Sequence, residues 1–153
     1  MVAILSESAD AQELLQHTRD MLDQFGVPFI ERVVESRGVL RDTVAAFESA
    51  EAAVFVVANT SADPLSAKVA AVTAKPVLAV PLEAAGVTGL ASLQATTMGG
   101  GPPVATLAIG KAGATNAALL AVAILANADE GLRGKLDAFR AEQTARVLGD
   151  RLE

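Results

Sequence analysis

The chain has no cysteine, no tryptophan and no tyrosine, and one histidine among its 153 residues. Without cysteine there are no disulfides, no thiolate metal sites and no thiol nucleophile. A lone histidine makes no metal site. His17 falls mid-helix between Gln16 and Thr18, away from the loops where a Ser/His/Asp arrangement would need its base. Aromatics amount to 3% against 52% hydrophobic residues, so the core must be built from Ala, Val, Leu and Ile. Cations are scarce as well. Twelve Lys+Arg against 18 Asp+Glu give a net charge of -6, and no basic stripe offers itself to a phosphate backbone or an anionic membrane. The longest strongly apolar stretch, residues 117–126, is too short to span a bilayer. The start, Met1-Val-Ala-Ile-Leu, lacks the basic flank of a secretory signal. These absences point to a cytoplasmic protein without a cofactor.

What is present is a rhythm. Short apolar runs at residues 2–5, 28–34, 52–58, 76–81 and 104–109 predict five strands. Between them lie amphipathic stretches. Leu14, Thr18, Met21, Leu22 and Phe25 share one face of a helix over 11–25, which Gly26 stops. Leu40, Val44 and Phe47 mark a second helix, residues 65–73 a third, and a short helix is expected near 90–93. Continuous apolar strands alternating with helices mean a parallel sheet covered on both faces. The fold class is α/β: a flavodoxin-like, doubly wound, parallel five-stranded sheet in a single domain spanning 1–153. Two helices close the chain, over 114–127 and 129–148. The first is apolar nearly all round and must be buried on all sides. In so small a domain that implies a homo-oligomer, as does a mean hydropathy of +0.41.

In such sheets ligands bind beyond the carboxyl ends of the strands. Strand one is followed by Ser6-Glu7-Ser8-Ala9-Asp10, strand two by Glu35-Ser36-Arg37-Gly38, and strand three by Asn59-Thr60-Ser61-Ala62-Asp63-Pro64. A glycine loop, Met98-Gly99-Gly100-Gly101-Pro102-Pro103, precedes strand five. These small, hydroxyl-rich loops suit a small nucleotide-like or carboxylate ligand. Ser8 and Asp10 stand where helix caps stand, and capping accounts for one of them. Contact with a ligand anion is the other use of that position. Asp63 before Pro64 is expected to cap the third helix. Arg37, the cation within the loops, is either a solvated charge or a clamp on a carboxylate or phosphate.

Gly101-Pro-Pro-Val-Ala-Thr-Leu-Ala-Ile-Gly-Lys-Ala-Gly-Ala-Thr-Asn-Ala-Ala-Leu-Leu-Ala resembles G-I/V-P-V-A-T-V-A-I-G-x-A-G-A-x-N-A-A-L-L-A of the carboxyaminoimidazole ribonucleotide mutase (PurE) family of purine biosynthesis. Gly89-Leu-Ala-Ser-Leu resembles the family's G-L-D-S-L, and Pro76-Val-Leu-Ala-Val-Pro its P-V-I-G-V-P. Leu136-Asp-Ala-Phe-Arg-Ala-Glu-Gln-Thr resembles its last helix. The resemblance implies a flavodoxin-like fold, an octamer with the apolar late helix in its core, and carboxyl transfer on an aminoimidazole ring. The first half departs from the pattern. Of the family's G-S-x-S-D, only Asp10 remains. Arg37 falls at or beside the histidine of S-A-H-R-T-P, and Pro64 takes the histidine's place in G-G-A-A-H-L-P-G. Arginine stays charged and substitutes poorly for a proton carrier working near neutral pH. Three readings follow. One is a divergent carboxylase or decarboxylase on a modified or different small substrate, with Arg37, Glu35 and Asp10 as catalytic candidates. Its binding residues would be Ser6, Glu7, Ser8, Asp10, Ser36, Gly38, Thr60, Ser61, Ala62, Asp63, Met98, Gly99 and Gly100. The second is a purine-pathway mutase with altered loops. The third is a catalytically silent binding or scaffold oligomer.

Overall fold

A computed structural model describes residues 1–34, 37–61, 63–83, 86, 88–98 and 101–149, with the side chains of Arg37 and Met98 left out. Five strands form one sheet in the order β2-β1-β3-β4-β5, every pairing parallel. They are β1 (Val2–Ser6), β2 (Phe29–Val33), β3 (Val54–Asn59), β4 (Val77–Pro81) and β5 (Ala105–Thr106). The three inner strands are buried along their whole length, as their unbroken apolar sequence requires. Alternate residues split the core into two layers. Val2, Ile4, Val54, Val56, Leu78 and Val80 meet α1 (Ala9–Leu14), α2 (Gln16–Phe25), α6 (Gly110–Leu125) and α7 (Glu130–Gly149). Ala3, Leu5, Phe55, Val57 and Val77 meet α3 (Leu40–Ser49) and α4 (Leu65–Ala70). The remaining helix, α5 (Gly89–Met98), lies by β4 and β5.

Several elements differ from those the sequence predicts. The helix expected over 11–25 is two helices, broken at Leu15. There Thr18 N–H bonds back only three residues, to the Leu15 carbonyl at 2.9 Å. This tighter turn leaves Leu15 fully buried, while the Thr18 hydroxyl donates to the Ala114 carbonyl on α6 at 2.9 Å. His17 consequently sits in the first turn of α2, not mid-helix. Gly26 ends α2 as expected, with φ +69° and bonds from Gly26 N and Val27 N to the Asp23 and Leu22 carbonyls. Lys135 of α7 adds a bond to the Phe25 carbonyl at 2.9 Å.

The third helix, α4, stops at Ala70, short of Thr73. The Thr73 hydroxyl is held by Glu48 and accepts from Lys75 N, which turns the chain toward Pro76. The helix expected near 90–93 extends over ten residues. Strand five shrinks to two residues. Leu107 N still bonds the Ala79 carbonyl at 2.9 Å, and the chain then leaves the sheet to begin α6 at Gly110.

The late apolar helix is not buried on all sides within one chain. Ala114, Ala117, Ala118, Ala121 and Val122 are covered, but Leu120 keeps 37% of its surface. On α7 Leu132 and Leu136 are buried, with Phe139 edge-on to Phe25. Val147 and Leu148 remain 56% and 55% exposed.

Candidate active site

The strand order reverses between β1 and β3: their following helices, α1 and α4, lie on opposite faces of the sheet. That leaves a crevice at their carboxyl ends, the usual ligand position in an open α/β sheet. A hydrogen bond closes its floor. Thr60, just after β3, donates its hydroxyl to the Glu7 carboxylate, just after β1, at 3.2 Å. Above it is a cavity of about 350 Å³ lined by Glu7, Val34, Leu40, Ser61, Asp63, Leu65 and Lys68. Its polar groups face three aliphatic side chains, a composition that suits a small amphiphilic molecule. A second cavity of about 610 Å³ lies between α4, α5 and the segment before β5. Thr96, Thr97, Gly101, Pro102 and Thr106 are in its wall. The two cavities share Asp63 and Lys68.

The β3–α4 loop is fixed from below by Asn59. Its side chain is fully buried. The amide donates to Ser66 Oγ at 2.7 Å and to Thr96 Oγ1 at 2.9 Å, while its oxygen accepts from Ser66 N at 3.0 Å. The Asn59 carbonyl takes the Ser92 hydroxyl at 2.8 Å. One residue thus joins β3 to both α4 and α5. It also supplies the cap expected of Asp63: the helix is preceded by Pro64, with no side-chain cap from that position, and Asn59 satisfies one of the free N–H groups of the first turn. Asp63 instead pairs with Lys68, Oδ2 to Nζ at 2.8 Å.

The predicted residues divide accordingly. Glu7, Thr60, Ser61 and Asp63 come together around the crevice. Ser8 is the cap of α1, its Oγ accepting from Ala11 N at 3.2 Å. Asp10 is an exposed residue in the first turn of α1 and lines neither cavity. Ser6 is 1% exposed, and its hydroxyl has no partner among the described residues. Gly38 is exposed in a one-turn 3-10 segment, Arg37–Val39, that leads into α3. Glu35, Ser36, Ala62, Gly99 and Gly100 lie outside the described residues, as do the Arg37 and Met98 side chains. Two participants were missed. Arg37 is not the sole cation near these loops, because Lys68 reaches back from α4. Asn59 was seen only as the start of a polar loop. Among the described residues no group of three or more His, Asp or Glu could hold a metal ion, and no helix is long and apolar enough to cross a membrane.

A family model described as AIR carboxylase matches residues 1–146. The chain belongs to the AIR carboxylase family. It is 39% identical over 150 residues to the N5-carboxyaminoimidazole ribonucleotide mutase of Brucella melitensis, covering 95% of this chain and 93% of that one. Against the enzyme of the same name from Bacillus subtilis, identity is 39% over 155 residues, with 97% and 94% covered. Among solved structures, Treponema denticola PurE superposes with a TM-score of 0.85 at 18% identity, over 97% of this chain and 94% of that one. That likeness bears on the fold: the flavodoxin-like parallel sheet is the PurE fold.

Proposed function

We propose that this chain is a PurE-type enzyme that moves or removes a carboxyl group on a small heteroaromatic substrate other than the usual ribonucleotide, or a modified form of it. One observation carries the reading: the crevice of an AIR carboxylase fold holds Glu7, Asp63 and Lys68, while the chain's single histidine stands on α2, outside both cavities. Losing CO₂ from a ring carbon leaves an electron pair that must collect a proton, and the reverse step must remove one. Glu7 and Asp63 are carboxylates at the cavity wall, with Glu35 of the neighbouring loop as a further proton carrier and Arg37 as a clamp on the carboxyl group. Glu7 also argues against the unaltered ligand. A carboxylate a few ångströms from a phosphate repels it by about 1–4 kcal/mol at effective permittivities of roughly 20–80.

The second reading is an unaltered purine-pathway mutase, favoured by identities of 39% to enzymes of that name. Ultraviolet spectra of the protein with N5-carboxyaminoimidazole ribonucleotide separate the two. We expect conversion at least 100-fold slower than by the Bacillus subtilis enzyme assayed alongside; comparable rates give the case to the second reading. If no nucleotide or carboxylic acid raises the melting temperature, a silent scaffold is the better account.

We also propose that copies of the chain assemble, as an octamer, through α6. Leu120 and Ile109 both keep 37% of their surface in the single chain, and large apolar side chains grouped near one helix favour association. Light scattering is expected to show an oligomer for the wild type and smaller species for Leu120→Glu. A wild-type monomer would refute the proposal.

A further inference from the structure

Among the described residues, Lys68 is the one cation that borders both cavities. It is the fourth residue of α4, and its side chain runs back toward the helix start, as long helical side chains do. The ammonium donates to the Asp63 carbonyl at 3.1 Å and pairs with Asp63 Oδ2 at 2.8 Å. Three N–H bonds radiate from an ammonium. The third has no partner among the described residues. The side chain is 25% exposed and lines both cavities.

A purely structural staple is a poor account of this arrangement. Ion pairs with an exposed partner contribute little to stability, and Asp63 is 55% exposed. The α4 first turn is already held by Asn59. What the pair does achieve is to hold a positive charge at one point in a site whose other described polar groups are carboxylates and hydroxyls.

We propose that Lys68 is the residue that binds an oxyanion of the ligand, and that Asp63 is the positioning residue that aims it. The ligand class is a small molecule bearing a carboxylate or a phosphoryl group, either of which accepts the third N–H as a charge-assisted bond. The assignment rests on the carboxyl-handling reading above and deepens it by naming the group that holds the substrate's charge.

Isothermal titration of the full-length protein with ribose 5-phosphate and, separately, with imidazole-4-carboxylate tests this. Wild type, Lys68→Met, Lys68→Gln and Lys68→Arg are compared. Met and Gln are both good helix formers, and a melting curve checks that each variant folds. The neutral variants are expected to bind at least one of the two ligands tenfold or more weakly, with Lys68→Arg within about threefold of wild type. The ligand that suffers tells whether the oxyanion is phosphoryl or carboxylate. Equal binding of both ligands by wild type and neutral variants overturns the role of Lys68 and leaves the site reading standing. Wild type that binds neither ligand overturns both.

Discussion

Gly113→Ala is expected to lower the melting temperature by roughly 6–12 °C, the equivalent of about 3 kcal/mol or more for a domain of this size. Gly113 lies in the first turn of α6, where that helix lands on the sheet. A methyl group there would sit 1.7 Å from the Ala108 carbonyl oxygen and 3.3 Å from Val80 Cγ1. The oxygen belongs to the backbone, so no change of rotamer relieves the clash. Relief requires the backbone at Ala108 and the start of α6 to move apart. That movement would open the layer in which Ala114, Ala117, Ala118 and Ala121 are fully buried, and it would pull the Ala114 carbonyl from Thr18. A matched control lies on α7. Gly134 is exposed and nothing approaches its added methyl within 4 Å. Gly134→Ala is therefore expected to stabilise by about 0.5–1 kcal/mol, because alanine replaces glycine within a helix. Differential scanning calorimetry of the pair isolates close packing from helix propensity. If both variants melt together, the close approach at Gly113 does not matter.

The inner strands are legible in the sequence because they are buried on both faces, so nothing polar interrupts Val54–Ala58 or Val77–Val80. The edge strand β5 is harder to delimit. An apolar run such as 104–109 says that side chains are covered, not that backbone pairs with a neighbour. Here β5 pairs with β4 alone, and the chain leaves at once for α6. The break at Leu15 leaves the helical periodicity of 11–25 almost intact, so pattern reading passes over it. The candidate site is legible in outline for a similar reason. Loops at the carboxyl ends of parallel strands are located by strand order, which puts Glu7, Thr60, Ser61 and Asp63 around one crevice. Its wiring is another matter. Asp63 stands directly before Pro64 and the helix, where local spacing makes it the cap, yet the actual cap comes from Asn59 across a seven-residue excursion. Lys68, counted from its helix, is one more surface lysine. Only the path of the loop brings Asp63 under its ammonium.

Asn59→Ala is expected to destabilise the protein by about 2–4 kcal/mol and to abolish ligand binding at the crevice. Truncation at Asn59 deletes three hydrogen bonds and leaves their partners in place. The Ser66 N–H loses its acceptor, and both Ser66 and Asn59 are fully buried, so water has little access to replace it. Each orphaned buried group costs about 1–3 kcal/mol, more than the net gain from making an ordinary bond. Asn59→Asp is the sharper variant. It keeps the acceptor for Ser66 N but exchanges the amide donor for an oxygen facing Ser66 Oγ and Thr96 Oγ1. Those hydroxyls can rotate to donate, but Thr96 Oγ1 then gives up the Ser92 carbonyl, to which it is bonded at 2.8 Å. A buried carboxylate would also bear the cost of desolvation. We therefore expect Asn59→Asp to melt below wild type at neutral pH and to recover part of the difference in acid. Protonation restores one donor to the network and removes the buried charge. Melting curves from pH 7 down to pH 5 check this against wild type. A variant whose deficit is unchanged across that range would mean that the fold tolerates an unneutralised charge between α4 and α5, and that Asn59 acts through shape alone.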